Sequence, residues 1–272
     1  ERTRDGREGH VLHTADFGLD CAHHLHDGSD GGTVLAGDLA ALPRVLVTRL
    51  DVTDGASVTA AVDAANRRFG GIDVLLNNAG YGAYGPLEAF DMEGIRRQFD
   101  TNVIGLLEVT KAVLPCMRAQ GHGRIVQCSS ILGLLPYRWR GAYTASKYAL
   151  EGLSLTLRME LEGSGIHVSL IEPGPIDTRF RANARAAFVR HIDPAQSRHQ
   201  GAYRQTLTRL EKEGSTSGFT LPSEACIPPL LHALQSKRPK HRYPVTLPTR
   251  LFSILRRLLP SRWLDRILGK SV

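Results

Sequence analysis

The chain has 272 residues, of which 42% are hydrophobic, and 34 basic against 27 acidic side chains give a formal net charge of +7. A chain of this length and composition can bury a large core, so we expect one domain over residues 1–272. The mild basic excess comes without an RNA- or DNA-binding motif, so we expect no nucleic-acid partner. No apolar run reaches the ~18 residues of a membrane span and no signal peptide opens the chain, which favours a cytoplasmic protein.

Segments with strand and helix patterns alternate along the chain, which is typical of a parallel α/β sheet. Short apolar runs predict strands at residues 11–14, 34–38, 45–50, 72–76, 124–128 and 166–171. Amphipathic patterns predict helices at residues 56–69, 92–120 and 143–162, and the second helix ends at a glycine cap, Gly121. The four cysteines are far apart in the sequence, which is typical of free thiols in a reducing compartment.

Tyr143 and Lys147 are four residues apart in the predicted helix at 143–162, so their side chains share one face. Lowering the pKa of a tyrosine from about 10 to neutrality requires about 4 kcal/mol. An ammonium at about 4 Å supplies on the order of that amount at an effective dielectric of about 20. We therefore expect Lys147 to activate Tyr143 almost alone. An exposed helix with a solvent-directed lysine would give the same spacing.

Further motif residues stand before and after this pair in a fixed order. They are Asn77-Asn78-Ala79-Gly80 after a strand, Asn102-Val103-Ile104-Gly105 in a helix, Ser130 after a strand, and Pro173-Gly174 after another strand. With these motifs the chain resembles the classical short-chain dehydrogenase/reductase family from about residue 49 to residue 178. The resemblance implies an α/β fold of the Rossmann type with a doubly wound parallel sheet. It also implies NAD(P)-dependent hydride transfer on CH–OH or carbonyl groups.

The resemblance assigns catalytic roles to four residues. Tyr143 would exchange a proton with the substrate oxygen as general acid/base, and Ser130 would hydrogen-bond the same oxygen. Lys147 would lower the pKa of Tyr143 and bind the nicotinamide ribose. Asn102 would hold a water that links Lys147 to solvent, and a structural bridge between backbone groups is compatible with that role. Ser129 is expected to be structural.

The resemblance also implies cofactor contacts at positions spread over the chain. Asn78, Ala79 and Gly80 would let the backbone approach the cofactor closely, which a larger residue at Gly80 would block. Thr178 would contact the nicotinamide carboxamide. The full set of expected cofactor-binding residues is Phe17, Gly18, Asp38, Asp51, Val52, Asn78, Ala79, Gly80, Tyr143, Lys147, Pro173, Gly174, Ile176 and Thr178.

The first βαβ unit is expected to be shortened. The family's glycine-rich loop allows a tight turn against the pyrophosphate, whereas here Ala15 and Asp16 precede Phe17-Gly18 and the loop is about three residues short. The helix after the second strand is also missing. The loss is about ten residues relative to a complete βαβ unit, which ordinarily spans roughly thirty or more. The short loop and the Asp16 carboxylate near the phosphates predict weakened cofactor binding.

Two acidic residues bear on the choice of cofactor. Asp38 ends the second predicted strand, where an acid would accept hydrogen bonds from the ribose 2′-OH and repel a 2′-phosphate, so we expect NAD to be slightly favoured over NADP. Asp51 matches the family residue beside the adenine amino group, and a turn or helix-capping role explains it equally well. Histidines from His10 to His26, near Cys21, match no standard zinc spacing, so we expect surface histidines and no metal site.

Two segments are expected to decide substrate specificity. Residues 131–141 contain an aromatic pair flanked by arginines, which could cover a flat apolar substrate or bind a carboxylate, with ordinary packing as the alternative. Residues 179–219 resemble the family's substrate lid. Tyr81 and Tyr84, just past the Asn-Asn-Ala-Gly turn, are further candidates for the pocket lining.

The C-terminal tail, residues 247–272, combines apolar side chains and arginines in an amphipathic pattern that Pro260 interrupts. A basic amphipathic stretch could make peripheral contact with an anionic membrane, which would suit a lipid-like substrate. Packing against the parent domain or a partner subunit is the common alternative.

These expectations describe an oxidoreductase for a small lipophilic carbonyl or alcohol, similar to the retinol and hydroxysteroid dehydrogenase branch and its bacterial relatives. The resemblance further implies a homo-dimer or homo-tetramer. The alternative function is a non-catalytic binding or scaffold protein that kept the fold and lost cofactor affinity. An altered or incomplete N-terminal segment would explain the same departures from the family pattern.

Overall fold

The computed structural model describes residues 11–14, 45–178 and 218–269, together with residues 180, 184, 185, 188, 200, 201, 204, 207 and 208. The strand predicted at 34–38, the shortened first βαβ unit and most of the predicted lid at 179–219 lie outside the described residues.

Five parallel strands of the described residues form the central sheet. The strands in chain order are β1 (Val11–Thr14), β2 (Val74–Asn77), β3 (Gly123–Cys128), β4 (Ile166–Glu172), β5 (Ile176–Asp177), β6 (Leu221–Pro222) and β7 (Arg242–Pro244). The sheet has the order β1-β2-β3-β4-β7, and β5 pairs with β6 separately. The register pairs Leu75 with Ile125 and Ile125 with Val168. Residues in register share a face of a sheet, and these three lie in one core cluster.

The described helices are α1 (Gly55–Phe69), α2 (Met92–Phe99), α3 (Leu106–Gln120), α4 (Gly141–Glu160), α5 (Ile227–Gln235), α6 (Leu247–Leu258) and α7 (Ser261–Gly269). Helix α1 begins after Asp54, whose carboxylate accepts a hydrogen bond from Ala56 N. It ends at Gly70 with φ 78°, and α3 ends at Gly121 with φ 72°. Glycine is favoured at both ends because other residues rarely adopt this left-handed conformation. The predicted glycine cap at Gly121 is confirmed.

Helices cover both faces of the sheet. On one face, buried residues of α3 recur every three or four positions, as a single helix face requires. These residues are Leu106, Val109, Val113 and Met117, and they pack with residues of α1, α4 and the sheet. On the other face, Ala233 of α5 packs with Val126 and Ile171. The predicted α/β fold with a doubly wound parallel sheet is therefore confirmed.

Most predicted elements agree with the structure within two residues. The strand predicted at 45–50 is wrong, because these residues are irregular and Val45, Leu46 and Val47 are each more than a third exposed. A strand needs a hydrogen-bonded neighbour, and within the described residues β1 is the edge of the sheet and pairs only with β2. Leu50 still packs against the core.

The helix predicted at 92–120 is interrupted in its middle. Between α2 and α3 the six residues Asp100–Gly105 form a π-helix, a form that occurs frequently at functional sites. A Cβ on Gly105 would lie 2.6 Å from the backbone oxygen of Val52. The absence of a side chain therefore lets the turn around Val52 approach the helix closely.

Gly105→Ala is expected to lower the free energy of unfolding by about 2 kcal/mol, because the added methyl group overlaps the Val52 carbonyl. Gly152→Ala in α4 is the matched control, since nothing lies within 4 Å of a Cβ there. That variant is expected to gain about 0.5–1 kcal/mol from better helix propensity. Urea unfolding measures both changes, and equal stabilities would contradict the close contact at Gly105.

Candidate active site

The loops that follow β2, β3 and β4 lie at one edge of the sheet because the three strands run parallel. Two backbone hydrogen bonds join the loop after β3 to the end of β4. Ser129 N donates to Ile171 O at 2.8 Å, and Ile131 N donates to Pro173 O at 2.7 Å. Ser130 lies between these two bonds and is fixed at the carboxyl edge of the sheet.

Helix α4 presents one buried face to this edge. Tyr143, Lys147 and Glu151 follow one another at intervals of four residues and therefore lie on the same face. Each keeps at most 5% of its surface exposed. The first two belong to the predicted site, whereas Glu151 is absent from the sequence prediction.

Tyr143 is a buried phenol beside Ser130. Burial raises the pKa of Tyr143 well above its ordinary value, and the neighbouring Tyr84 acts in the same direction. A side-chain hydrogen bond with Ser130 and the charge of Arg140 lower this pKa without offsetting the effect of burial. The Tyr143 hydroxyl therefore carries its proton at neutral pH.

Lys147 points at the backbone at the carboxyl end of β3. Its Nζ donates to Cys128 O at 2.7 Å and lies 5.8 Å from the centre of the Tyr143 ring. Burial raises the pKa of the Cys128 thiol, and the Lys147 charge partly offsets this shift. The expectation that Lys147 alone brings the pKa of Tyr143 to neutrality is wrong, because burial outweighs the charges around the phenol.

Asn102 joins the loop after β2 to α4. Its Oδ1 accepts from Tyr81 N at 3.0 Å, and its Nδ2 donates to Tyr81 O at 2.9 Å and to Ser146 Oγ at 3.1 Å. The side chain is fully buried within the π-helix. These bonds form the structural bridge that the sequence analysis left open beside a water-holding role.

Gly80 lies between Asn102 and Lys147. A Cβ at this position would lie 3.1 Å from Asn102 Oδ1 and 3.6 Å from Lys147 Nζ. Because Gly80 has no side chain, the space next to the Lys147 ammonium is left open at this position. Of the two preceding residues, Asn78 is exposed and Ala79 is buried.

The predicted contacts with the adenosine half of a cofactor are only partly within the described residues. Phe17, Gly18 and Asp38 lie outside them. Asp51 Oδ1 accepts hydrogen bonds from Thr53 N at 2.9 Å and from Thr53 Oγ1 at 2.7 Å. The carboxylate of Asp51 thus stabilises a turn, which is the structural alternative stated for this residue.

The other predicted cofactor residues are held by local packing. Val52 is buried, and a Cβ on Gly174 would overlap a threonine hydroxyl of the loop before α6. Pro173 accepts the backbone hydrogen bond from the β3 loop, and Ile176 lies in β5. Thr178 is exposed and follows β5 directly. Pro173, Gly174, Ile176 and Thr178 form the side of the site that continues from β4.

Aromatic rings cover Tyr143. The centre of the Phe180 ring lies 5.4 Å from that of Tyr143 and 6.2 Å from that of Tyr84. The Arg140 guanidinium lies 4.3 Å from the centre of the Tyr84 ring and 5.1 Å from that of Tyr137. Such geometry is typical of favourable ring–ring and cation–π contacts. The two segments predicted to decide specificity therefore both contribute rings next to the phenol.

A buried ionic cluster lies beside Ser129. Glu151 Oε1 accepts a hydrogen bond from Ser129 Oγ, and Glu151 Oε2 lies 2.5 Å from Arg242 Nη1. The same nitrogen lies 2.5 Å from Glu172 Oε1. Glu172 ends β4 and Arg242 begins β7, and these two strands pair in the sheet. We define Glu151, Glu172 and Arg242 as the ionic cluster.

In the ionic cluster, the carboxyl groups of Glu151 and Glu172 share the guanidinium of Arg242. Burial raises the pKa of Glu151 to about 7, with the Ser129 hydrogen bond, Arg242 and Arg256 opposing this shift and Glu172 adding to it. Burial also raises the pKa of Glu172. Two signals in the sequence could have found the cluster: Glu151 follows Lys147 at the same interval of four, and Glu172 directly precedes the Pro-Gly motif.

Within the described parts of the chain, no group of three or more His, Cys, Asp or Glu side chains could hold a metal ion. The histidine-rich segment near Cys21 lies outside the described residues except for His13, which belongs to β1. Among the helices of the described ranges, none is long and apolar enough to cross a membrane.

Comparisons with known proteins agree with this geometry. The model of the short chain dehydrogenase family matches residues 20–188. The uncharacterized oxidoreductase YbbO of Escherichia coli K12 is 45% identical over 194 residues, which are 71% of this chain and 66% of that protein. An NADPH-dependent 3-dehydrocapnine reductase of Ornithobacterium rhinotracheale is 32% identical over 228 residues, which are 82% of this chain and 78% of that protein.

A solved structure of a short chain dehydrogenase/reductase is also similar to this chain. A short chain dehydrogenase/reductase from Burkholderia phymatum in complex with NAD superimposes with a TM-score of 0.68 at 30% identity, covering 88% of this chain and 83% of that one. The fold, and the position of the candidate site at the carboxyl ends of the strands, are therefore those of a Rossmann-type α/β protein. The chain belongs to the short-chain dehydrogenase family, and it spans 66% of the length of YbbO.

Glu151→Gln isolates the contribution of this carboxyl to stability. Because the pKa of folded Glu151 is raised from 4.5 to about 7, the folded protein binds the proton more tightly than the unfolded chain. The stabilisation is therefore complete below the unfolded pKa and is lost as the pH rises through the folded one. Relative to Glu151→Gln, the unfolding free energy of the unchanged protein should fall by on the order of 3 kcal/mol over this interval. A difference that does not vary with pH would contradict the raised pKa.

Proposed function

We propose that this protein is a nicotinamide-dependent oxidoreductase that moves a hydride between the nicotinamide and a carbonyl or alcohol carbon of a lipophilic substrate. The observation that carries the proposal is the hydrogen bond between the Ser130 and Tyr143 side chains, one helical turn from the buried Lys147. Two neighbouring hydroxyl groups can hold one substrate oxygen between a hydrogen-bond donor and a proton donor.

Tyr143 holds a proton at neutral pH, as a proton donor must, and its raised pKa means that the transfer needs stabilisation of the phenolate that forms. In carbonyl reduction, Tyr143 would give its proton to the substrate oxygen while Ser130 donates a hydrogen bond to the same oxygen. The Lys147 charge, with Nζ 5.8 Å from the ring centre, would stabilise the phenolate that remains. In alcohol oxidation, the phenolate would take the proton back. Asn102 would support this step by keeping the π-helix and α4 in register.

The described residues fit the nicotinamide half of the cofactor. A side chain at Gly80 would occupy the space next to Lys147 Nζ, and the ammonium can donate hydrogen bonds to ribose hydroxyls. Asn78 and Ala79 would line the same loop, and residues 173–178 would face them from the end of β4. When bound, the cofactor supplies or accepts the hydride.

For the adenosine half, we propose a slight preference for NAD. The Asp38 carboxylate would accept hydrogen bonds from the ribose 2′-OH and repel a 2′-phosphate. Phe17 and Gly18 would approach the phosphates, and Asp51 and Val52 would lie near the adenine. A relative named as NADPH-dependent and a structural neighbour in complex with NAD support a nicotinamide cofactor of either kind.

A lipophilic substrate is supported by the rings around the phenol. Phe180, Tyr84 and Tyr137 are near Tyr143, and Phe188 is buried in the same cluster. These rings would suit substrates of the kind that the retinol and hydroxysteroid dehydrogenase branch uses, with residues 179–219 as the lid. A non-catalytic scaffold is less favoured, because burying a lysine and a phenol costs stability and is expected where chemistry needs them.

We also infer self-association through the helices of the site. Ile104, Tyr148, Leu153 and Met159 lie on the π-helix and α4 and are between 39% and 64% exposed. A homo-dimer or homo-tetramer that pairs along α4 would cover this apolar surface. Light scattering at micromolar concentration should give a multiple of the chain mass, and a monomer would contradict the inference.

The C-terminal tail is proposed to contact an anionic membrane surface. Leu247, Leu251, Ile254 and Leu258 recur every three or four residues on α6 and are between 51% and 72% exposed, so they form an apolar stripe on one face. Helices α6 and α7 contain five arginines and a single acid, Asp265. Anionic headgroups complement these charges, whereas a second copy of the tail would bring like charges together.

Tyr143→Phe should lower turnover by about 10²–10⁴-fold, because the variant lacks the proton donor but keeps the ring. The measurement is oxidation of NADH or NADPH with a long-chain aldehyde or ketone. Tyr148→Phe is the matched control, since Tyr148 lies on the same helix with 41% of its surface exposed, and its turnover should not change. Full activity in Tyr143→Phe would contradict the assignment of the acid.

The substrate class is tested with a homologous series of ketones of increasing length. Each methylene that enters an apolar pocket is worth about 0.8 kcal/mol, so kcat/KM should rise about fourfold per added methylene until the pocket is full. A preference for sugars or short hydroxy acids over this series would contradict a lipophilic substrate.

Membrane contact is tested by sedimentation with vesicles. The protein should sediment with vesicles that contain phosphatidylglycerol, should not do so with pure phosphatidylcholine, and should be released by salt. Leu258→Glu, in the apolar stripe, should abolish sedimentation, whereas Glu160→Gln at the end of α4 should not. Self-association of the tail without vesicle binding would point to a second copy instead.

A further inference from the structure

Glu151 continues the buried face of α4 that carries Tyr143 and Lys147. Eight residues separate Glu151 from Tyr143, so it lies about 12 Å farther along the helix axis. At that distance it cannot reach the group that Tyr143 would protonate. Its carboxylate contacts the segment before and after Ser130 instead.

Glu151 touches the turn around Ser130 at both ends. Before it, Ser129 Oγ donates a hydrogen bond to Glu151 Oε1. After it, the backbone of Gly133 packs so closely that a Cβ there would lie 2.9 Å from Glu151 Cγ and 2.7 Å from Ser129 Oγ. Within the turn, Ser130 Oγ accepts a hydrogen bond from Leu132 N at 3.2 Å.

Other elements hold the same turn and the same carboxylate. Arg242 of β7 pairs with both Glu151 and Glu172. Arg256 of α6 donates to Leu134 O at 3.2 Å, directly after the turn. The turn is thus enclosed by α4, the strand ends and α6, and from α4 it is contacted by Glu151 at its two ends and by Tyr143 at Ser130.

We propose that Glu151 is a positioning residue, which holds the turn from Ser129 to Gly133 so that the Ser130 hydroxyl stays against Tyr143. This inference rests on the proposed roles of Ser130 and Tyr143. It extends the site to a residue that touches neither substrate nor cofactor.

The proposal makes the strength of this contact depend on pH. The groups facing Glu151 are Glu172, Arg242 and Arg256, with Tyr148 beside it on α4. An ionised carboxylate accepts a stronger hydrogen bond from Ser129 than a neutral carboxyl does. Because the pKa of Glu151 is raised to about 7, the contact strengthens as the pH rises through neutrality.

The first experiment is a pH profile of kcat. In the unchanged protein, kcat should rise about threefold as Glu151 ionises, since small displacements of a positioning group alter rates by such factors. Glu151→Gln keeps an acceptor for Ser129 and removes the ionisation, so the rise should disappear. Ser129→Ala should remove the rise, so that kcat is lowered about tenfold above the pKa of Glu151 and about threefold below it, with the KM for cofactor unchanged. Glu160→Gln, an exposed glutamate of the same helix, should keep the rise.

A double substitution tests whether both residues act through one contact. Glu151→Ala combined with Ser129→Ala should lower kcat no further than either single change. Additive losses, or a pH profile of Glu151→Gln that retains the rise, would overturn the proposal. If Glu151→Ala does not fold, Ser129→Ala and Glu151→Gln still decide the question.

The second experiment needs no turnover. Amide hydrogen exchange of a peptide covering residues 129–135 should be at least tenfold faster in Ser129→Ala than in the unchanged protein, with exchange in α4 unaltered. Unchanged exchange in this peptide would overturn the positioning role. If the unchanged protein shows no turnover with any carbonyl, the proposed function fails, and the exchange result alone decides whether Glu151 holds the turn.

Discussion

One face of α4 lies against the carboxyl ends of β3 and β4, and the candidate site depends on that packing. Tyr143, Lys147 and Glu151 are buried there, although each would lose hydration free energy in an apolar interior. Each finds a polar partner at the sheet edge: Ser130 for the phenol, Cys128 O for the ammonium, and Ser129 with Arg242 for the carboxylate. The partners are strand-end groups, so the parallel sheet itself fixes their spacing.

Burial raises the pKa of the titratable group at each end of this face, by different amounts. It raises the pKa of Tyr143 and keeps the phenol protonated at neutral pH, so that a proton is present beside Ser130. It raises the pKa of Glu151 only to about 7 because the arginines and Ser129 oppose it. A phenol that is protonated at neutral pH and a carboxyl that titrates near neutrality therefore contact the same turn. Hydride transfer between a carbonyl and an alcohol requires a proton at that place.

Periodicity and motif spacing predicted most of the fold and the order of the site. The buried helices and strands were predictable because their apolar residues recur at intervals that packing demands, as in α3. The strand at 45–50 was not, since strand formation depends on a neighbour that local sequence does not specify. The effect of Lys147 on Tyr143 was misjudged because a charge at a given spacing was considered without burial. Glu151 and Glu172 were missed because their partner, Arg242, is distant in the sequence and adjacent only through the pairing of β4 with β7.

The central claim is that these residues form a working nicotinamide site. Its most direct test is a titration of the purified protein with NADH and NADPH, followed by nicotinamide fluorescence. The account predicts saturable binding at micromolar cofactor, with NADH bound more tightly than NADPH. Absence of binding at millimolar concentrations of both cofactors would contradict it, and the buried Tyr143 and Lys147 would then need a different explanation.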